Sequence, residues 1–218
     1  MDVSETDHLL ERTEFIPRFI TEDSRNRRLL YLNDIRRNEE ETRFEGAPAD
    51  FLHTLDLRFS IRKAEEQDLK RAEELTVRTH QLNSTGCVYN CRELKEFIQS
   101  EEYEVLIAQL NDKFGEYGKI GLAVLKKSEK NYHLQLLLMS CRVMSGGVGT
   151  VFLNWIAELA KENHVNLIAD FIATDKNRMM YVTFKLNGFR SAGMDGAIEK
   201  LELDPAYSPV FPEWIKLV

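Results

Sequence analysis

The chain has 218 residues, with 29 basic against 36 acidic side chains and a net charge of −7. That balance argues against a nucleic-acid binder, which normally carries a basic stripe. No apolar run approaches the ~20 residues needed to span a bilayer, and the acidic start Met1-Asp2-Val3-Ser4-Glu5 is unlike a signal peptide, so a cytoplasmic protein is expected. Cys87, Cys91 and Cys141 are too few for a disulfide framework, and the five histidines are scattered singly, so no metal is expected.

In chain order, residues 1–56 are charged and helix-prone. Over 24–44, Leu29, Leu32 and Ile35 give a narrow apolar stripe, which suits a helix lying on a domain surface or against a partner. Gly46-Ala47-Pro48 breaks it, and a short connector helix starts at 49–52. Residues 57–62 alternate apolar and polar, predicting a strand. Leu69, Ala72, Leu75 and Thr79 predict a helix over 67–82, and Leu94, Phe97 and Ile98 a second one over 92–100. Strands are expected at 103–110 and 119–125 around a hairpin turn at 115–118. The run at 132–139 reads as a buried central strand. A glycine-rich turn follows, then a helix in which Val148, Phe152, Trp155, Ile156 and Leu159 share a face. A strand at 165–173, a helix at 178–186 closed by Gly188, and a strand at 197–203 complete the pattern. Pro205, Pro209 and Pro212 exclude helix or central strand from the tail. The expected division is a helical extension (1–56), an α/β domain (57–204) and a proline-rich tail (205–218).

The turn after the central strand carries most of the chemistry. A strand that enters a helix through glycines leaves backbone N–H groups at the positive end of the helix dipole, which is a natural seat for a pyrophosphate. Arg142 either adds a cation there or forms an ordinary salt bridge at the strand end. Cys141 is an acyl acceptor if Arg142 and the dipole lower its pKa, and otherwise a small buried hydrophobe. His133 stands at the start of the central strand and Asp170 interrupts an apolar one, so both are candidate general bases. Gln81, Asn83, Ser84, Thr85 and Tyr89 fill the loop between the first two domain helices. Their uncharged hydrogen-bonding groups suit a hydroxylated acyl unit or, equally, loop and cap geometry.

Residues 142–147, Arg-Val-Met-Ser-Gly-Gly, resemble the Gln/Arg-x-x-Gly-x-Gly/Ala signature of the GNAT acyltransferase superfamily, with Ser145 in place of the first glycine. The helix opened by Asn177 and closed by Gly188-Phe189 resembles the second GNAT landmark. The resemblance implies an α/β (α+β) fold with a mixed, mostly antiparallel twisted sheet and helices on both faces. It implies an acyl-CoA or phosphopantetheine thioester on Cys141, Arg142, Val143, Ser145, Gly146, Gly147, Val148, Gly149 and Asn177, lying in a gap between splayed strands whose N–H groups are unpaired. Acetyl-CoA is the simplest such cofactor. Residues 78–85, 140–143 and 173–177 are together similar to the C-terminal half of FkbH-type proteins, which move a glyceryl unit to an acyl carrier protein in polyketide assembly. That likeness implies a carrier-protein partner, with a HAD-type phosphatase acting alongside, and puts the acyl group on Gln81, Asn83, Thr85 and Tyr89.

Two departures qualify the activity. The chain contains no Asp-x-Asp-x-Thr phosphatase motif, and Phe184 stands where many GNAT enzymes have a tyrosine acid. A docking module without chemistry is therefore an alternative, with Arg25, Arg27, Arg28, Arg36 and Arg37 facing an acidic carrier protein. An N-acetyltransferase of a small amine is a third.

Overall fold

The central strand β4 (Asn131–Met139) is buried from both sides, which is why its sequence runs apolar instead of alternating. In the computed structural model, which describes residues 18–140, 143 and 147–218, it sits fourth in an eight-stranded sheet of order β6-β7-β5-β4-β3-β2-β1-β8. The strands are β1 (Leu57–Lys63), β2 (Tyr103–Asp112), β3 (Gly115–Lys127), β5 (Asn166–Phe171), β6 (Phe189–Asp195), β7 (Ile198–Leu203) and β8 (Ile215–Leu217). Neighbours are antiparallel except for β4 with β5 and β1 with β8, which run parallel.

Two apolar layers sandwich the sheet. Helices α4 (Leu69–Arg78) and α5 (Cys91–Gln99) cover Val105, Ile107, Leu122, Val124, Leu136 and Leu138. On the other face lie α6 (Val148–Glu162), α7 (Arg178–Leu186) and α3 (Pro48–Thr54), where Phe152 meets Phe59 edge-on at 6.1 Å. The apolar stripe on α6 is wide, with Val148, Val151, Phe152, Ile156 and Ala160 all buried, as expected for a helix seated on a sheet.

Several elements differ from the sequence expectation. The first domain helix stops at Arg78, because the Asn83 side chain caps Thr79 O at 3.1 Å and the chain then leaves to pair with β4. The hairpin turn lies at Lys113-Phe114, ahead of the glycines, where Asp112 Oδ1 accepts from Phe114 N–H (2.8 Å) and Gly115 N–H (3.1 Å). Gly115 and Gly118 instead sit inside β3 at left-handed φ of 128° and 79°, next to its register irregularities with β2. Strands β6 and β8 were not expected; β8 forms beyond Pro212, at the sheet edge where the prolines leave it free.

The extension comprises α1 (Glu22–Arg25) and α2 (Arg27–Arg43). Its apolar stripe does not face the domain: Leu29 is 60% exposed and Leu32 40%. Instead Leu30 and Arg37 are buried, with the guanidinium of Arg37 over the Tyr117 ring and bonded to Asp112 at 2.5 and 3.0 Å. Polar contacts, not the apolar stripe, fix the helix.

Candidate functional site

Parallel pairing of β4 with β5 runs from Asn131↔Asn166 to Leu134↔Ala169 and stops there, five residues before β4 ends. At the same point β4 carries one extra residue against β3: Val124 faces Leu136 while Leu125 faces Leu134, so Gln135 is a bulge. A bulge bends and twists its strand, and here it turns the C-terminal half of β4 away from β5. The result is a fork.

The fork is not empty. Residues 82–84 enter it as a short pseudo-strand. Ser84 N–H donates to Leu137 O (2.9 Å), Met139 N–H to Leu82 O (2.8 Å), and Leu137 N–H to Ser84 Oγ (3.0 Å). On the other side Ile172 N–H donates to Ser84 O at 2.9 Å. Asn177 locks the insert from below, its amide donating to Asn83 O and Ile172 O at 2.9 Å each. This corrects the expectation of unpaired strand N–H groups: those of Leu137 and Met139 are bonded to the chain itself.

The loop residues divide accordingly. Asn83 and Thr85 are buried, and Asn83 Oδ1 accepts from Thr85 N–H (3.2 Å) and Gly86 N–H (2.8 Å), while the Thr85 hydroxyl points to Gln135 O at 3.5 Å. Their polar groups hold the loop. Gln81 is exposed, and Tyr89 is half-buried with its ring edge-on to Phe97. Burial, with smaller contributions from nearby charges including Asp170, pushes the Tyr89 phenol up to about 12, so it keeps its proton at neutral pH.

At the base of the fork the structure brings His133 and Asp170 together. His133 Nε2 lies 2.7 Å from Asp170 Oδ1, and Lys200 Nζ reaches the same oxygen at 2.6 Å. Burial alone would raise the Asp170 pKa, but the bonds from His133 and Lys200 outweigh it and hold the carboxylate below its ordinary value. An ionised Asp170 fixes the imidazole proton on Nε2 and leaves Nδ1 as the basic nitrogen. Lys200 was missed from sequence; its signal is the β5–β7 register, which puts it opposite Asp170.

Helix α6 begins at Gly147, whose φ of 72° demands glycine, and no side chain among the described residues caps it. A Cβ at Gly147 or at Gly149 would meet no atom of the described residues within 4 Å, so none of these crowds the first turn of the helix. Val143 and Val148 are buried beside it. Cys141, Arg142, Ser145 and Gly146 lie outside the described residues. Phe184 is fully buried against Phe189, and the nearby Tyr181 phenol is bonded to Glu199 at 3.2 Å. Arg37, bound to Asp112, is not part of any free basic patch. Cys91, pushed up to about 11 by burial and by Glu73, is a protonated thiol. Among the described residues no group of three or more His, Cys, Asp or Glu could hold a metal, and no helix is long and apolar enough to cross a membrane.

No protein-family model matches the chain, and no curated protein matches it significantly. Solved structures do. PaiA N-acetyltransferase from Thermoplasma acidophilum, in complex with coenzyme A, aligns with a TM-score of 0.52 at 18% identity over 67% of this chain and 98% of its own. Aminoglycoside acetyltransferase AAC(6')-Ib, also with coenzyme A, gives 0.52 at 17% identity over 67% and 95%. The ribosomal-protein-S18-alanine N-acetyltransferase of Escherichia coli gives 0.50 at 17% over 70% and 99%. The chain has the GNAT acetyltransferase fold, a mixed, antiparallel-dominated sheet with helices on both faces.

Proposed function

We propose that this chain is an acyltransferase that takes its acyl group from a CoA or phosphopantetheine thioester. The observation that carries the reading is the N-terminus of α6: fifteen residues of helix that follow the central strand in the chain, with Gly147 before the first turn and Gly149 in it, and no side-chain cap or crowding atom among the described residues. That is the arrangement that binds a pyrophosphate through backbone N–H groups and the helix dipole. Two of the structural neighbours were solved with coenzyme A, which supports the same ligand here. Among the residues of this chain, Nδ1 of His133 is the candidate base for an acceptor, with Asp170 as its positioning residue. An acyl carrier protein as the partner that brings or takes the acyl group is the finer form of the proposal, supported by the FkbH-like motifs, as is a HAD-type phosphatase acting beside it.

A second reading is favoured by one observation. The edge of β4 that a thioester arm would follow is already bonded to residues 82–84. If that insert never leaves, the domain binds partners without chemistry.

Calorimetric titration with CoA tests the first reading. Gly149→Glu places an anion in the first turn of α6 without the backbone strain that any side chain meets at Gly147. The parent is expected to bind CoA and the variant to lose at least about tenfold in affinity, the ~1.4 kcal/mol of one repelled charge in a half-screened site. Equal affinity in both refutes the pyrophosphate seat, and turnover of acetyl-CoA by the parent rules out the docking module.

A further inference from the structure

The extension and the domain form the walls of an open pocket of about 580 Å³ whose lining includes no described residue of the α6 N-terminus. One wall is Leu30 and Tyr31 of α2, the other is α4 with residues 79–82, and Ser140 and Lys176 close it at the tip of the fork. The volume falls in the range of small-molecule sites.

The extension is docked by buried polar contacts with definite geometry. The Thr21 hydroxyl donates to Glu74 Oε2 at 2.8 Å, Arg71 reaches Asp23 at 3.0 Å, and Asp23 in turn accepts from Lys119 N–H at 3.2 Å. Buried pairs of this kind add little net stability relative to apolar packing, but they fix one register. The wall is therefore held in place for a ligand to meet.

The charge of the cavity is opposite to that of the chain. Its acids are all held by arginines: Glu74, 1% exposed, faces Arg71, Arg78 and Arg27 at 2.9, 3.2 and 3.7 Å, and Asp34 is held by Arg37. Arg27 and Arg78 thus share one carboxylate with a third guanidinium, and Lys176 has no carboxylate partner among the described residues. Four cations of the lining, Arg27, Arg71, Arg78 and Lys176, face three acids, a surplus of one positive charge among apolar and neutral polar groups in a protein of net charge −7. Field focusing in such a concave site favours an anion over a neutral molecule.

We infer that the N-terminal extension completes a binding site for a small organic anion, a carboxylate or phosphate on an apolar body, beside the tip of β4. As the pocket of the second substrate it rests on the acyltransferase reading; as an anion site it stands without it.

The test titrates the full chain, without CoA, with benzoate, phenyl phosphate and benzyl alcohol, followed by amide chemical shifts. At least one anion is expected to saturate, with shifts at Tyr31, Gln81 and Lys176, and the tighter of the two identifies the head group. Benzyl alcohol should bind at least about fivefold more weakly, the scale of one partly screened charge contact. Arg27→Gln with Lys176→Gln, both at exposed positions, should weaken the anion about fivefold or more and leave the unfolding midpoint unchanged. Gly149→Glu should leave it bound. Equal binding of anion and alcohol, shifts confined to Val148 and Gly149, or indifference to the double variant each overturn the inference. Anion binding here with no CoA binding removes the acyltransferase reading and keeps the site.

Discussion

The two ends of the β4–β5 pair solve the same problem in opposite ways. At the N-terminal end the strands bond directly, Asn131 to Leu134 against Asn166 to Ala169, and the polar side chains His133, Asp170 and Lys200 meet above the ladder. At the C-terminal end, beyond the Gln135 bulge, the strands part and residues 82–84 bond to both edges through their backbone and the Ser84 hydroxyl. Reactive groups at the closed end are side chains and can titrate. Those at the open end are peptide groups, which only exchange partners. Any thioester arm that lies along β4 must replace hydrogen bonds already made, so its net gain is small even when each new bond is good.

Asn177→Ala should separate the ends most sharply. It orphans one buried carbonyl, Asn83 O, and one half-buried carbonyl, Ile172 O, and is expected to cost about 2 kcal/mol in denaturant unfolding. Amide exchange at Leu137, Met139 and Ile172 should quicken far more than at Leu134. Uniform acceleration along β4 would mean that the insert is not an independent lock.

Asp170→Asn acts on the closed end and should cost about 1 to 2 kcal/mol near neutrality, through lost charge-assisted bonds to His133 and Lys200. The folded-state pKa of Asp170 lies below its unfolded value of about 3.9, so its contribution is present above that pH and is lost as pH falls through the folded value. Parent and variant stabilities should therefore converge below about pH 4. A gap that persists into acid would point to packing instead of charge.

Ser84→Ala has the smallest expected effect, about 1 kcal/mol, because it removes a single acceptor from Leu137 N–H and leaves the backbone bonds in place. If the acyltransferase reading holds, the same change should tighten CoA binding by loosening the insert. Weaker binding would make Ser84 part of the ligand site.

What the sequence revealed follows from what leaves a pattern. The β4–turn–α6 unit was legible because a strand buried on both faces and a 3.6-residue stripe are both strong signals. Strand β6 was not, since only Phe189 of its residues is buried and nothing alternates. Helix α2 misled, because the stripe of Leu29, Leu32 and Ile35 is exposed while its contacts run through Leu30 and through Arg37 to Asp112, 75 residues away. His133 and Asp170 were legible singly, as a histidine in a buried strand and a carboxylate in an apolar one, but their pairing depends on register. The insert at 82–84 left almost no trace, because peptide groups make nearly all of its bonds.

The short strand β8 has a consequence for handling the protein. It lies parallel to β1 from Leu57↔Ile215 to Phe59↔Leu217, with Ile215 buried and Val218 N–H donating to Phe59 O. It thereby covers an edge where Leu57 and Phe59 are buried, and being three residues long it offers little template of its own. Removing residues 214–218 would uncover a sticky border on β1. Association through that border would then deplete the soluble protein, although every group at the fork remained in place.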